Sequence, residues 1–230
     1  MGAALSTPAP SIAALVLVGG RARRFAGVAK PLLELGGSTP WQRTLAALGE
    51  DRVRPVLAVG TAWDADEPAP PAGAAIVPVI WVREDPPFGG PAAAIAAGLS
   101  GLEGAEWALL LAGDLVHPAD VVRTLCGAVR AAEEESAGED APDPVDAIVF
   151  RADGRAQWLT GAYRVEALRA ALVALGDPSG RAVRELLGGL PIRWITDEDG
   201  LTADIDTPDD LERARAVLAD PSARHDEEPR

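Results

Sequence analysis

The sequence predicts an α/β protein in which a mostly parallel sheet lies between two layers of helices. Short apolar runs of strand length alternate with segments of helical length along the chain, a pattern typical of parallel sheets covered on both faces. Three helical segments begin at Pro91, Pro118 and Pro208, where a first turn tolerates a missing N–H. A length of 230 residues with 48% hydrophobic content suits one domain with a sizeable core.

Seven strands and six helices are predicted. The strands lie near residues 12–18, 53–59, 75–82, 107–112, 147–150, 157–162 and 192–195. The helices lie near residues 41–48, 91–99, 118–132, 165–175, 181–187 and 208–218. We expect a single domain over residues 11–218, disordered tails at 1–10 and 219–230, and a flexible acidic loop over 133–146, which carries seven acids and no base.

The charge of the chain is acidic but unevenly distributed. There are 21 basic and 35 acidic residues, and the formal net charge is −14. This argues against nonspecific binding to nucleic acid or to an anionic membrane surface. The first 60 residues nevertheless hold seven basic and three acidic groups, a net charge of +4. A positive region in an acidic protein indicates a small anionic ligand.

Cysteine and histidine are scarce, which limits the chemistry. The single cysteine, Cys126, leaves no intramolecular disulfide framework and suits a reducing cytoplasm. His117 and His225 cannot supply a histidine-rich metal site, so any metal would be a hard cation held by carboxylates. No segment reaches the roughly 18 apolar residues of a membrane helix, and no basic region precedes the first apolar run. We therefore expect a cytoplasmic protein that does not bind membranes.

A basic segment punctuated by glycines follows the first predicted strand. It reads LVLVGGRARRFAGVAKPLLELGG over residues 15–37. A strand that ends in glycines offers backbone N–H groups to phosphates. The segment is not a Walker loop, because Pro31 follows Lys30, and it lacks the G-x-G-x-x-G dinucleotide fingerprint. What remains is a longer loop that can wrap a triphosphate, with its arginines and Lys30 countering the phosphate charge.

A carboxylate follows the fourth predicted strand. The run WALLLAGDLVHP, residues 107–118, ends an apolar strand with Asp114 at the carboxyl edge, where α/β sheets bind ligands. A single aspartate with few carbonyl neighbours suits Mg²⁺, which keeps waters and shares phosphate oxygens. The alternative role is capping of the helix that starts at Pro118.

Two further aspartates precede the last helix. In LTADIDTPDDLERARAVL, residues 201–218, Asp204 and Asp206 stand two apart and share one face if extended. Thr207 is a candidate N-cap. We interpret Asp209 and Asp210 only as charges that favour a helix start.

A proline- and glycine-rich segment, REDPPFGGPAAAIAAGL, spans residues 83–99. Its small residues allow a helix to pack tightly while the first turn, at Gly90 and Pro91, faces a planar ligand. Asp85 can accept hydrogen bonds from a base, although aspartate in such turns also bonds locally.

These motifs, in this order, resemble those of the nucleotidyltransferases related to molybdenum cofactor guanylyltransferase, the MobA-like family. LVGGRARRFAGVAKPLLELGG resembles the family signature L-A-G-G-x-x-x-R-M-G-x-x-K-x-L. The family motifs A-C-D-M-P, G-P-L-A-G-[IM] and D-x-D-T-P-x-D correspond to the runs at Asp114, Gly90 and Asp204. The resemblance extends from Leu15 to about Leu218. It implies one MobA-like NTP transferase domain over residues 11–218, with a Rossmann-like three-layer sandwich of the GT-A-like nucleotidyltransferase type.

The resemblance also implies roles for individual residues. The implied catalytic residues are Arg24, Lys30 and Asp114. The implied nucleotide-binding residues are Leu17, Val18, Gly19, Gly20, Arg21, Arg24, Lys30, Asp85, Gly90 and Pro91. Asp114 and Asp206 are the implied ligands of Mg²⁺. Asp204, Trp158 and Tyr163 are assigned to the acceptor side, although a core position is favoured for the two aromatic residues.

The function that the resemblance implies is Mg²⁺-dependent transfer of GMP from GTP to molybdopterin with release of pyrophosphate. Its partners would be these small molecules and other molybdenum cofactor proteins. Two alternatives stay open: another base or acceptor, for example CTP and molybdopterin, or a noncatalytic nucleotide-binding accessory protein. The second is motivated by departures from the family pattern, which has methionine, glycine, aspartate and cysteine where this chain has Phe25, Ala26, Ala29 and Gly113. Retention of Lys30, Asp114 and Asp206 favours an enzyme.

Overall fold

Seven strands form one sheet in the part of the chain described by this computed structural model, residues 9–19, 25, 28–61, 77–136 and 143–219. The strands are β1 (Ile12–Leu17), β2 (Val56–Val59), β3 (Val79–Val82), β4 (Trp107–Ala112), β5 (Ala147–Ala152), β6 (Arg155–Arg164) and β7 (Ile192–Thr196). The helices are α1 (Pro40–Glu50), α2 (Pro91–Leu99), α3 (Pro118–Ser136), α4 (Val165–Leu175), α5 (Val183–Leu187) and α6 (Pro208–Ala219). Every predicted strand and helix is present.

The strand order is β3-β2-β1-β4-β6-β5-β7. β1 pairs in parallel with β2 and β4, β2 pairs in parallel with β3, and β5 pairs in parallel with β7, whereas β6 is antiparallel to β4 and β5. The carboxyl ends of β1 to β4 therefore meet at one edge of the sheet. The loops that follow these four strands carry most of the predicted site residues.

Helices cover both faces of the sheet because its central strands are apolar on both sides. In β1, Ala14 and Val16 pack on the face that holds α1 and α3, while Ala13 and Leu15 pack under α2, α4 and α5. Such doubly buried strands are typical of parallel sheets. The prediction of a three-layer α/β fold with a mostly parallel sheet is confirmed.

A third, smaller core supports the last helix. Its buried residues come from three parts of the chain: Leu33, Leu35, Val116, Ile205, Leu211 and Ala214. It joins the segment after Lys30 to the residues after β4 and to α6. The N-terminal basic segment and the C-terminal aspartates thus rest on a common base.

The structure corrects the boundaries of the expected acidic loop and C-terminal tail. Helix α3 continues to Ser136, so the first four residues of the expected acidic loop 133–146 are helical. The carboxylate of Glu133 accepts hydrogen bonds from Trp107 Nε1 at 3.0 Å and Arg164 at 2.7 Å, which ties the end of α3 to the sheet. Helix α6 includes Ala219, which was expected in the tail. Residues 137–142, 1–8 and 220–230 lie outside the described residues. No described helix is long and apolar enough to span a membrane.

Candidate active site

The residues that follow β1 and β2 are in close backbone contact at the carboxyl edge of the sheet. The N–H of Val18 donates to the carbonyl of Val59 at 3.1 Å. A Cβ on Gly60 would lie 2.8 Å from Gly19 N, and Gly60 has a φ of +151°, so only glycine fits there. The glycine-rich loop begins from this tight junction. The predicted residues Leu17, Val18 and Gly19 are thereby placed at the edge, whereas Gly20, Arg21 and Arg24 lie outside the described residues.

Gly60 itself was missed by the sequence analysis. Its signal is a glycine directly after the apolar run of β2, but the need for glycine comes from contact with Gly19, which the sequence does not reveal.

Lys30 lies between two of the predicted acidic residues. It starts a 3-10 helical turn, Lys30–Leu32. Its Nζ is 3.2 Å from Asp114 Oδ2 and 2.5 Å from Asp206 Oδ1. The lysine therefore joins groups that are 84 and 176 positions away along the chain.

The turn that carries Lys30 packs closely against the end of β4. A Cβ on Gly113 would lie 3.0 Å from the carbonyl oxygen of Leu17, from Pro31 Cγ and from Val18 Cγ1. The N–H of Gly113 also donates to that Leu17 carbonyl at 3.0 Å. Glycine where the family pattern has cysteine thus lets Pro31 sit directly on the strand end beside Asp114.

Asp204 and Asp206 project from one short extended segment. The segment pairs with the residues after β4 through a bridge between Leu115 and Asp204, and Val116 N–H donates to the Ala203 carbonyl at 2.9 Å. Ile205, fully buried, points into the third core. Because side chains alternate along extended backbone, its two neighbours both point away from that core. The sequence spacing predicted this shared face.

Three carboxylates converge beside Lys30. One oxygen from each of Asp114, Asp204 and Asp206 lies within 4.8 Å of the other two. We call these three residues the carboxylate cluster. Asp204, which the resemblance assigned to the acceptor side, therefore stands next to the two implied metal ligands.

Burial and mutual repulsion shift the pKa values of the cluster. Burial raises the pKa of Asp114, and the charge and hydrogen bond of Lys30 offset part of that rise. The pKa of Asp204 is raised to about 6 by burial and by the charges of Asp114 and Asp206. Burial lowers the pKa of Lys30, but its hydrogen bonds and charge contacts with Asp206 and Asp114 outweigh this, and the net pKa is raised. The cluster is an electronegative site compensated by one cation.

The donor set of the cluster fits a hard divalent cation. Carboxylate oxygens are the ligands that Mg²⁺ and Mn²⁺ prefer, and the described residues place three of them together. The close ion pairs with Lys30 show that the site already attracts positive charge.

The predicted base segment lies between β3 and α2 on the same edge. Gly90, with a φ of +87°, is the N-cap residue of α2 and Pro91 is its first residue. Asp85 is exposed in the loop before them and is not part of the carboxylate cluster. The loop is also held by contacts that the sequence did not reveal: Phe88 N–H donates to Glu84 Oε1 at 3.1 Å, and Gly180 N–H donates to the Gly89 carbonyl at 2.8 Å.

Trp158 and Tyr163 pack in the hydrophobic core beneath α2, α4 and α5. Tyr163 is fully buried and its hydroxyl donates to the Trp158 carbonyl at 2.8 Å, which favours the core position over the acceptor side. Trp158 is half-buried and packs edge-on against Trp194, with ring centroids 6.0 Å apart. The favoured core position of both residues agrees with the structure.

The fold is similar to those of solved nucleotidyltransferases. Molybdopterin-guanine dinucleotide biosynthesis protein A from Archaeoglobus fulgidus is 21% identical, with a TM-score of 0.58 over 90% of this chain and 98% of that one. The 4-diphosphocytidyl-2C-methyl-D-erythritol synthase from Anaerococcus prevotii is 15% identical, with a TM-score of 0.64 over 92% and 99%. Rv0371c from Mycobacterium tuberculosis, crystallised with manganese, is 18% identical, with a TM-score of 0.56 over 90% and 99%. The chain thus has an α/β nucleotidyltransferase fold.

The family is shown by the sequence profile of the MobA-like NTP transferase domain, which matches residues 14–198. The chain belongs to this family of nucleotidyltransferases. No curated protein sequence matches it. The resemblance drawn from the motifs is confirmed, and the family match ends before Asp204 and Asp206.

Proposed function

We propose that the protein transfers GMP from GTP to molybdopterin and releases pyrophosphate, with Mg²⁺ as the cofactor. The observation that carries the proposal is the contact of Lys30 with Asp114 and Asp206 beside the glycine-rich loop. A lysine next to convergent carboxylates provides what a nucleoside triphosphate needs: a cation for its phosphates and oxygen ligands for its metal. The family match supports a nucleotidyl transfer, and the motif resemblance supports guanine and molybdopterin.

Asp114 and Asp206, with Asp204 beside them, are the residues that would hold Mg²⁺. When bound, Mg²⁺ would supply positive charge that is shared between these carboxylates and the phosphate oxygens of the nucleotide. Lys30 would then turn from the carboxylates toward the triphosphate, together with the proposed contact of Arg24.

The transfer itself is a displacement at phosphorus. An oxygen of the terminal phosphate of molybdopterin forms a bond to the α-phosphorus of GTP, while the bond from that phosphorus to the oxygen bridging to the β-phosphate breaks. Pyrophosphate leaves with the electron pair. The chain orients the two substrates and neutralises their charge, which needs no protein nucleophile. The buried Cys126 agrees with this, since burial first, and then Asp51, raises the pKa of its thiol to about 12.

Guanine selection is proposed for the segment before α2. The carboxylate of Asp85 can accept from the N1 and N2 donors of guanine, and it is exposed in the loop that leads to Gly90 and Pro91. Cytosine offers one exocyclic amino donor, so a carboxylate favours guanine over cytosine.

A pyrophosphate assay tests the proposal. Purified protein is incubated with Mg²⁺, molybdopterin and each nucleoside triphosphate in turn, and we expect pyrophosphate release with GTP. Asp114→Asn should lower kcat by about 100-fold or more, because it removes a carboxylate that would hold the Mg²⁺ needed to neutralise the reacting phosphates. The matched control is Asp153→Asn, which makes the same charge change in the exposed turn between β5 and β6.

Two other results would replace the proposed function by one of its alternatives. Release with CTP alone would favour a cytidylyltransferase. Nucleotide binding without release, with molybdopterin or any other phosphorylated acceptor, would favour a noncatalytic accessory protein.

A further inference from the structure

The segment that carries Asp204 and Asp206 is held at both ends by hydrogen bonds to two other aspartates, Asp197 and Asp210. We call residues 197–210 the strap. At its start, Asp197 accepts three hydrogen bonds: from Leu201 N–H at 2.8 Å, from Thr202 N–H at 2.8 Å and from the Thr202 hydroxyl at 2.6 Å. These bonds close the turn that precedes Asp204.

The end of the strap is fastened in the same manner. Asp210 Oδ2 accepts from Asp206 N–H at 3.1 Å, from Thr207 N–H at 2.6 Å and from the Thr207 hydroxyl at 2.7 Å. The Asp210 N–H donates in return to Thr207 Oγ1 at 3.2 Å. One carboxylate thus caps α6 and holds the backbone of a cluster residue at the same time.

Asp197 and Asp210 are less exposed than the acidic residues close to them in the sequence. The Asp210 side chain is 20% exposed and Asp197 is half-buried, whereas Asp209 and Asp199 are exposed. Each of these two carboxylates accepts hydrogen bonds from both the N–H and the hydroxyl of one threonine. The interpretation of Asp210 as only a helix-start charge is therefore corrected by its hydrogen bonds to Asp206 and Thr207.

We propose that Asp197 and Asp210 are positioning residues that fix the main chain of the strap, so that Asp204 and Asp206 meet Asp114 in one cluster. This rests on the proposed function for its catalytic consequence. Neither residue needs to touch substrate. Both act through backbone N–H groups and a threonine hydroxyl, which an ionised carboxylate accepts in charge-assisted hydrogen bonds.

Matched variants test this against controls. Asp210→Ala removes the oxygen that accepts all three strap hydrogen bonds, which the carbonyl oxygen of an asparagine would keep, and Asp209→Ala makes the same change next to it without a strap hydrogen bond. Asp197→Asn and Asp199→Asn form the second pair. The readouts are the Kd of Mn²⁺ measured by electron paramagnetic resonance without nucleotide, Tm, and kcat and KM for GTP.

We expect Asp210→Ala and Asp197→Asn to raise the Kd of Mn²⁺ by about 10- to 100-fold, as loss of groups that orient metal ligands does. kcat should fall by a similar factor, while KM for GTP changes by less than about threefold, because the residues orient metal ligands rather than bind the nucleotide. The two controls should keep the wild-type Kd of Mn²⁺. If each variant binds Mn²⁺ as its control does, the proposal is wrong.

A threonine pair keeps the test decisive if Asp210→Ala does not fold. Thr207→Val removes the hydroxyl that bonds Asp210, and Thr207→Ser restores it. We expect weakened Mn²⁺ binding in the first and recovery in the second, and equal binding in both would overturn the proposal for Asp210. A wild-type protein that binds Mn²⁺ but releases no pyrophosphate would contradict the proposed function and leave the Mn²⁺ comparison as the test of positioning.

Discussion

Lys30 is the residue on which the electrostatics of the candidate site depend. Its ammonium group stands against Asp114 and Asp206, so it occupies the position where a cation is most strongly attracted. A metal ion and this lysine compete for the same carboxylates. The lysine therefore has two proposed partners: the cluster when no nucleotide is bound, and the triphosphate when one is.

Lys30→Met tests whether the lysine exchanges the carboxylate cluster for the triphosphate, because the substitution should strengthen the binding of Mn²⁺ and weaken the binding of GTP. The Kd of Mn²⁺ without nucleotide should fall by about 10-fold, since a competing charge is removed. The Kd of GTP should rise by about 10-fold or more, since a charged hydrogen bond to phosphate is lost. Titrations monitored by electron paramagnetic resonance and calorimetry measure the two constants. Arg123→Met, at an exposed arginine of α3, is the charge control and should change neither. Weaker Mn²⁺ binding in Lys30→Met would contradict the exchange.

Asp204 is a destabilising charge when no metal is bound. Its pKa in the folded protein is about 6, above the ordinary 3.8, because of burial and the charges of Asp114 and Asp206. A raised carboxyl pKa favours the folded state below pH 4, and this advantage is lost as the pH rises through 6.

Asp204→Asn should therefore raise the Tm of the metal-free protein at pH 7.5. We expect a rise of about 2–4 °C, which corresponds to about 1 kcal/mol for a chain of this size after the exposure of the group is discounted. The difference from wild type should vanish near pH 4. With Mn²⁺ added, the variant should gain less Tm than wild type. Thermal unfolding in EDTA and in Mn²⁺ measures both effects, and an unchanged Tm in EDTA at pH 7.5 would contradict the repulsion.

The contacts between the residues of the candidate site could be predicted only in part from the sequence. The motifs indicated Lys30, Asp114 and Asp206 one by one, because each follows an apolar strand or precedes a helix start. Their contact could not be predicted, since it depends on how residues 200–206 fold back across the end of β4. Asp197 was missed because its hydrogen bonds form only in the folded strap. Asp210 was interpreted only as a helix-start charge, although its spacing from the N-cap Thr207 is a local signal of the reciprocal hydrogen bonds between them.

At the scale of elements, the end of β4 and the turn Lys30–Leu32 form one packed unit. A Cβ added to Gly113 would lie 3.0 Å from three atoms. They include the backbone oxygen of Leu17, in the sheet, and Cγ of the Pro31 ring, in the turn. An added methyl group would require a few tenths of an ångström of movement at this contact, which we expect the turn that carries Lys30 to make.

Gly113→Ala should lower both stability and activity. Overpacking of this kind costs about 1–3 kcal/mol in the free energy of unfolding. The control, Gly127→Ala, lies on an exposed face of α3 with open space around its Cβ, and it should raise stability by about 0.5–1 kcal/mol without changing kcat. Denaturant unfolding and the pyrophosphate assay measure both variants. A Gly113→Ala protein as active as wild type would show that the turn is not held by this contact.

The elements themselves were predicted well because their signals are local. Apolar runs and proline helix starts indicated all seven strands and six helices. The acidic run after Ala132 was misjudged at its beginning, because composition does not reveal that Glu133 bonds Trp107 and Arg164 on the neighbouring sheet.

At the scale of the whole molecule, the candidate site joins two parts of the chain: the strands up to β4 and the segment after β7. The third core packs Leu33 and Val116, which lie near Lys30 and Asp114 in the sequence, against Ile205 and α6. The family match ends at residue 198, before that second part. The geometry of the cluster therefore depends on how firmly the third core holds the strap against the sheet.

A pair of cavity variants separates this dependence from general stability. Ile205→Ala removes a fully buried side chain from the third core, and Leu168→Ala removes one of equal size from the core beneath α4. Each should cost about 2–5 kcal/mol in the free energy of unfolding. Only Ile205→Ala should raise the Kd of Mn²⁺, by about 10-fold, because it loosens the backbone that orients two of the three carboxylates. If the two variants lose equal stability and both keep wild-type Mn²⁺ binding, the cluster does not depend on the third core.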